Sequence, residues 1–159
     1  MALEIERKFL VINDDWRTLG TPVAFRQGFL NTEPERTVRV RIAGERAFLT
    51  VKGITKGATR LEYEYPIPVE DAAHMLEHLC ERPLIEKTRT VIDHCGHRWE
   101  IDAFEGENAG LVVAEIELKS ADEAFEKPAW IGMEVTDDPR YYNSMLSRSP
   151  YSMWPENAH

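Results

Sequence analysis

Leu3-Glu4-Ile5-Glu6-Arg7-Lys8 places Leu3 and Ile5 on one side of an extended chain and Glu4, Glu6 and Lys8 on the other. Successive side chains of a strand point to opposite faces, so a two-residue period marks a strand with two unlike faces. The alternation runs over residues 2–12 and returns along the chain. Val38, Val40 and Ile42 oppose Arg39 and Arg41; Leu49 and Val51 oppose Thr50 and Lys52; Leu61, Tyr63 and Tyr65 oppose Arg60, Glu62 and Glu64. Trp99 and Ile101 oppose Glu100 and Asp102, and Ala114, Ile116 and Leu118 oppose Glu115, Glu117 and Lys119. Residues 22–31 and 83–93 add two less cleanly patterned strands, the second with Lys87 and Arg89 on one face. The pattern predicts eight strands in a mainly β (α+β) domain. Turn signals at Gly44-Glu45, Gly53 to Gly57 and Cys95-Gly96 keep connections short and neighbours antiparallel.

Two helices are expected at the periphery. Residues 70–80 set Ala72, Met75, Leu76 and Leu79 at helical spacing, with Glu70 and Asp71 in the first turn. Residues 139–148 follow Asp138 as N-cap and Pro139 at the first helical position, and Ser149-Pro150 stops them. A short helical turn is expected near 120–125.

The polar faces carry like-charged doublets: Glu4/Glu6, Glu62/Glu64, Glu100/Asp102 and Glu115/Glu117 are acidic, Arg39/Arg41 and Lys87/Arg89 basic. Residues i and i+2 of a strand lie about 6–7 Å apart. Two carboxylates at that distance repel by about 0.7 kcal/mol in water and about 2.5 kcal/mol at an effective dielectric of about 20. Four acidic and two basic doublets, none of mixed sign, look arranged. Carboxylates suit hard divalent cations, and Arg and Lys clusters suit phosphate oxygens. Both on the inner wall of a closed sheet would hold a metal–polyphosphate complex. Periodicity alone leaves open the other arrangement, a sheet whose ionic face is solvated.

Length and composition bound the rest. The 159 residues are expected to form one domain, with strands and the first helix over about 1–120 and a closing helical segment over about 130–150. A formal net charge of −9 sets the surface against nucleic acid and anionic membrane. No apolar stretch reaches membrane-spanning length, the charged N-terminal stretch does not suit a signal peptide, and two cysteines are too few for a disulfide framework. A cytoplasmic location is expected.

Glu4-Ile5-Glu6-Arg7-Lys8, an E-x-E-x-K at the N-terminus, resembles the signature of the CYTH domain, or triphosphate tunnel metalloenzymes. Arg26-Gln27-Gly28-Phe29-Leu30 is similar to the R-Q-G-Y-L stretch of short bacterial members, with Phe29 in place of tyrosine. Arg39-Val40-Arg41, Leu49-Thr50-Val51-Lys52, Arg60-Leu61-Glu62-Tyr63-Glu64, Glu86-Lys87-Thr88-Arg89, Glu100-Ile101-Asp102 and Glu115-Ile116-Glu117 follow in order. Glu134 to Asn143 resembles the helix that closes one tunnel end, with Pro139 where a charged residue is usual. Each piece is weak alone; the ordered set is specific.

The resemblance implies an eight-stranded antiparallel tunnel with a charged interior and a C-terminal helix closing one end. It implies metal-dependent hydrolysis of a triphosphate, most simply inorganic tripolyphosphate to pyrophosphate and phosphate, with Mg²⁺ or Mn²⁺. Carried over, Glu4, Glu6, Glu62, Glu64, Glu115 and Glu117 are candidate metal carboxylates, with Asp102 a candidate ligand of a metal-bound water or a group just behind the metal ligands. Lys8, Arg39, Arg41, Lys52, Lys87 and Arg89 are candidate phosphate grips, joined by Arg60; Lys8, with Glu4 and Glu6, is the candidate catalytic group that positions water. Glu100 could join either set. The same architecture serves class IV adenylate cyclases and thiamine triphosphatases, and a non-catalytic polyphosphate- or nucleotide-binding module is a further alternative. A tunnel with polar contents must cover its apolar outside, so a homodimer is expected.

Other residues read as structural. His94, Cys95 and His97 straddle a hairpin turn without a second ligand pair at zinc spacing. Trp99 and Trp130 read as packing aromatics, His74 and His78 as a solvated helix face, and Trp154 as part of a frayed tail. Tyr141 and Tyr142 read as packing groups, with Arg140 and Tyr141 near a tunnel mouth.

Overall fold

The computed structural model describes residues 3–155; the ends of the expected 1–159 span lie outside the described residues. The strands are β1 (Leu3–Val11), β2 (Val23–Asn31), β3 (Thr37–Ala43), β4 (Arg46–Lys52), β5 (Thr59–Ile67), β6 (Ile85–His94), β7 (His97–Phe104), β8 (Val112–Glu117) and β9 (Ile131–Glu134). The helices are α1 (Val69–His78) and α2 (Asn143–Leu146), with 3-10 turns at Asp15–Thr18, Gly106–Asn108, Pro139–Tyr141 and Tyr151–Met153. Eight strands close into an antiparallel barrel in the order β5-β4-β3-β2-β6-β7-β8-β1, with β1 returning to β5.

Closure depends on β1 serving two neighbours. Its first residues pair with β5, Leu3 opposite Leu61 and Ile5 opposite Thr59. Glu6 to Leu10 pair with β8 on the other edge, Glu6 opposite Glu117 and Lys8 opposite Glu115. The edge that β5 leaves free is taken by β9, which meets Phe9 and Val11. This ninth strand was not expected: Ile131-Gly132-Met133-Glu134 is too short to show a period.

The outward residues of each strand form the cores. Phe9, Trp99, Ile101, Ala114 and Ile116 are covered by Trp16, Leu118 and Trp130 from connecting segments, with Phe125 packed against them. Val40 and Ala47 are covered by Ala72 and Leu76 of α1. Gly28 permits the chain after α1 to lie against β2, since a Cβ there would meet Leu84 Cδ2 at 2.7 Å and Cys80 Cβ at 2.8 Å. The third cluster fills one end of the barrel. Phe29, Ile85, Phe104 and Val113 pack there against Tyr141, Leu146 and Trp154.

That C-terminal segment closes the end, but not as one helix over 139–148. Asp138 caps its first turn as expected, accepting from the Arg140 amide, and then Tyr142 takes an extended conformation that breaks the segment into a 3-10 turn and the four-residue α2. Trp154 is not frayed. It is 5% exposed, its ring meets Tyr141 and Tyr151 edge-on, and its indole N–H donates to the Ser149 carbonyl. Near 120–125 there is a single turn, closed by the Glu123 amide on the Ser120 carbonyl, and no helix.

Candidate active site

Because side chains alternate along every strand, the charged face of each faces the barrel axis once the apolar face has been covered outside. The result is a cavity of about 230 Å³. Seven basic residues (Lys8, Arg39, Arg41, Lys52, Arg60, Lys87, Arg89) and seven acidic ones (Glu4, Glu6, Glu62, Glu64, Glu100, Glu115, Glu117) line it. Barrel order sorts them by sign. Glu115 and Glu117 on β8, Glu4 and Glu6 on β1, and Glu62 and Glu64 on β5 occupy three adjacent strands. Across the axis, Arg39 and Arg41 on β3 and Lys87 and Arg89 on β6 flank β2. One wall is mainly acidic, with Lys8 and Arg60 set among its carboxylates, and the facing wall is basic.

The basic wall is braced from behind. Asp102 on β7, 2% exposed, does not line the cavity. Its oxygens accept from Lys87 Nζ at 2.7 Å and from Arg89 Nε and Nη2 at 2.7 and 2.9 Å. Those cations hold its carboxyl down to about 2 against the upward push of burial. Asp102 thus pairs with two cations of the basic wall. Asn143 Oδ1 accepts from Lys87 Nζ and from Gln27 Nε2, and Gln27 Oε1 accepts from Arg41 Nε. The Phe25 ring lies 4.8 Å from the Arg89 guanidinium and 4.9 Å from that of Arg41. Burial, aided by Arg89 and Arg41, presses Lys87 down to about 7 despite Asp102. Arg39 donates from Nη2 to Thr50 and Glu64, while its buried Nε has no partner.

The acidic wall is bonded to itself. Glu4 and Glu62 share a hydrogen bond. Lys52 Nζ lies 3.1 Å from both Glu4 oxygens and 3.2 Å from Glu62. Burial tends to raise both carboxyls; the Glu62 hydrogen bond and Lys52 hold Glu4 down at about 2, and Glu62 rises to about 7. Glu6 and Glu115 form a second pair. Burial and repulsion by Glu115 and Glu4 push Glu6 well above the carboxylate range, while Lys8, 3.4 Å from Glu115, helps hold that partner well below it. A hard divalent cation displaces the proton that such carboxyl pairs share, so the donor set fits a cation of that kind.

Sequence reasoning missed Phe25, Gln27 and Asn143, whose polar or aromatic side chains carry no charge and stand outside the doublets. At the closed end it read Tyr141 and Tyr142 as packing groups, with Arg140 and Tyr141 near the mouth. Tyr141 is buried in the plug and Arg140 pairs with Asp138, whereas Tyr142 and Asn143 line the cavity, the Tyr142 ring 5.4 Å from Lys8 Nζ.

A family model, the CYTH domain, matches residues 2–147. An inorganic triphosphatase from Acetivibrio thermocellus is 50% identical over 156 residues, covering 98% of this chain and 100% of that protein. One from Nitrosomonas europaea is 39% identical over 153 residues, covering 92% and 97%. Among solved structures, an inorganic triphosphatase superposes with a TM-score of 0.64 at 35% identity over 90% of this chain and 96% of that one. A Hippeastrum protein described as an adenylyl cyclase candidate with a dominant triphosphatase activity shares the fold, with a TM-score of 0.60 at 14% identity over 74% and 80%.

Proposed function

Since the chain belongs to the CYTH domain family, we propose that it is a metal-dependent hydrolase that splits inorganic tripolyphosphate into pyrophosphate and phosphate. The observation that carries this reading is the pairing of an acidic wall with a basic wall around one cavity. Seven charges of each sign make the lining formally neutral, so a polyanion is best accommodated together with a cation.

Arg39, Arg41, Lys87 and Arg89, with Lys52 and Arg60 nearer the carboxylates, bind phosphate oxygens; the unpartnered Arg39 Nε is a donor waiting for one. Glu4, Glu6, Glu62, Glu64, Glu115 and Glu117 would hold Mg²⁺ or Mn²⁺. When bound, the metal polarises phosphate oxygens and acidifies a water. Asp102 keeps Lys87 and Arg89 aimed, so these donors meet the developing charge without reorganising. Lys8, between Glu115 and the Tyr142 ring, would orient the attacking water.

Phosphate release from tripolyphosphate, ATP, thiamine triphosphate and pyrophosphate, each with Mg²⁺, Mn²⁺ or EDTA, tests the reading. Metal-dependent turnover of tripolyphosphate above the others is expected. Tight binding of all without release would leave a binding module, and cyclic nucleotide from ATP would make it a cyclase.

A cytoplasmic location and a homodimer belong to the same proposal. Among the described residues no helix is long and apolar enough to cross a membrane, and both cysteines are free. Leu3, Leu61, Tyr63 and Tyr65 leave the outer face of β1 and β5 exposed and apolar, which suits a second copy. Light scattering on wild type and Tyr65→Glu checks the dimer, which the variant should weaken.

A further inference from the structure

The β6–β7 hairpin turns on two residues, Cys95 and Gly96, with φ of 51° and 81°. Two-residue turns of this kind favour Asn, Asp or Gly at the first position, because a positive φ crowds any other side chain. Among the described residues Cys95 is the one non-glycine with a positive φ. The turn does not ask for a thiol, and a side chain kept in a disfavoured conformation directs attention to what it touches.

It touches a distant loop. Cys95 Sγ lies 3.9 Å from Glu126 Oε2, and His94, Cys95 and Glu126 each offer a donor atom within 4.8 Å of the other two. Around zinc, with bonds of about 2.0–2.3 Å, tetrahedral donors stand about 3.3–3.7 Å apart. Shifts of about 1 Å in partly or fully exposed side chains close that difference. The loop bearing Glu126 is anchored independently. Glu123 Oε2 lies 2.7 Å from His97 Nε2, its Oε1 accepts from the Lys119 amide, and Phe125 packs edge-on against Trp99 and His97. The sequence around the hairpin lacks a further ligand at zinc spacing; the fold delivers it from 31 residues away.

We propose that His94, Cys95 and Glu126 bind a zinc-type divalent cation, with water completing the shell, at a site separate from the tunnel. His94 is five steps along β6 from Arg89, about 16 Å of strand. Ligand chemistry separates the sites as well. The tunnel offers carboxylates, which suit Mg²⁺ and Mn²⁺, whereas thiolate and imidazole select softer ions. Binding expels the thiol proton and forms Sγ–metal, imidazole–metal and carboxylate–metal bonds, with no change of oxidation state. A cation there staples the β6–β7 hairpin to the loop that follows Glu117.

The test is to titrate the reduced, full-length protein with Co²⁺ in excess Mg²⁺, which occupies the tunnel carboxylates. A thiolate-to-cobalt charge-transfer absorption saturating at one equivalent and displaced by Zn²⁺ is expected. It should vanish in Cys95→Ser, persist in Cys80→Ser, and saturate only at higher Co²⁺ in His94→Ala and Glu126→Gln. Unchanged Mg²⁺-supported phosphate release by Cys95→Ser would show that this variant is folded. No absorption at one equivalent, absorption surviving Cys95→Ser, or a titration indifferent to both His94→Ala and Glu126→Gln would each overturn the site.

Discussion

On the basic wall, Lys87 and Arg89 share a buried counter-ion, Asp102, and Arg41 and Lys87 are tied through Gln27 and Asn143. On the acidic wall the carboxyls of Glu4 and Glu62, and of Glu6 and Glu115, lean on each other, with Lys52 and Lys8 as the nearby cations. The walls come from the same kind of alternating strand, yet one is preorganised and the other is unfinished. Preorganised donors stabilise charge that develops in a transition state without moving to meet it. A metal replaces the proton that such carboxyls share, releasing it to water, so that wall is complete only when loaded.

The largest effect should come from removing the brace. Asp102→Ala leaves Lys87 and Arg89 buried without their shared partner, a loss of about 3–5 kcal/mol for a broken buried ion pair. Burial, with Glu115 and Glu4, keeps Glu6 from ionising, so the neutral Glu6→Gln should cost the metal-free protein no stability. Urea denaturation in EDTA compares them directly. Similar losses for both variants would erase the contrast between the walls.

Next in size is a phosphate grip. Arg39→Ala deletes a buried donor set with one N–H still unpartnered, and should lower kcat/KM for tripolyphosphate by about 10²–10³-fold, the usual effect of removing one preorganised donor. Steady-state rates at saturating Mg²⁺ give the number. A loss smaller than threefold would take Arg39 out of the substrate's path.

Much of this was legible in the sequence, for a definite reason. A strand's period is two, so alternation alone assigns a face to each of Glu4, Glu6, Arg39, Arg41, Lys87, Arg89, Glu115 and Glu117, and all eight line one cavity. What periodicity does not carry is what stands behind a face. Glu100 and Asp102 make one doublet on one face, yet Glu100 lines the cavity while Asp102 is covered by Lys87 and Arg89. Asn143 reaches the wall because an extended Tyr142 breaks the expected helix. Glu126 meets Cys95 across a loop whose path depends on Phe125 finding the core. Such contacts are tertiary, with no spacing rule to announce them.

A smaller effect follows from protons. Glu62 titrates at about 7 in the fold against 4.5 outside it. Between those values the folded chain holds a proton that the unfolded chain lacks. The stability that this group contributes is therefore present at low pH and is lost as pH rises from 4.5 to about 7. Glu4, held at about 2, acts oppositely: its contribution is present above 4.5 and is lost as pH falls toward 2. If Mg²⁺ takes the place of the Glu62 proton, as proposed, its affinity should climb with pH up to about 7 and then level. Glu62 is partly open to water, so the slope stays below the one-proton limit of about tenfold per pH unit. Calorimetric titration of Mg²⁺ across that range checks it, and Glu62→Gln should flatten the curve.

The smallest effect sharpens the contrast between inside and outside on a single strand. Arg7 sits between Glu6 and Lys8 but points outward, where Nε and Nη2 meet the two oxygens of Glu134 at 2.9 and 2.5 Å and the guanidinium lies 5.0 Å from the Phe125 ring. Both partners are about a third exposed, so water and salt screen the pair. Glu134→Gln should cost about 0.2–1 kcal/mol, shrink further in high salt, and leave the Mg²⁺ dependence of hydrolysis untouched. A larger, salt-insensitive loss in thermal unfolding, or a shifted metal optimum, would mean that the β1–β9 pairing feeds into the acidic wall. The outer face of β1 would then position Glu6 and Lys8, and would do more than cover the barrel.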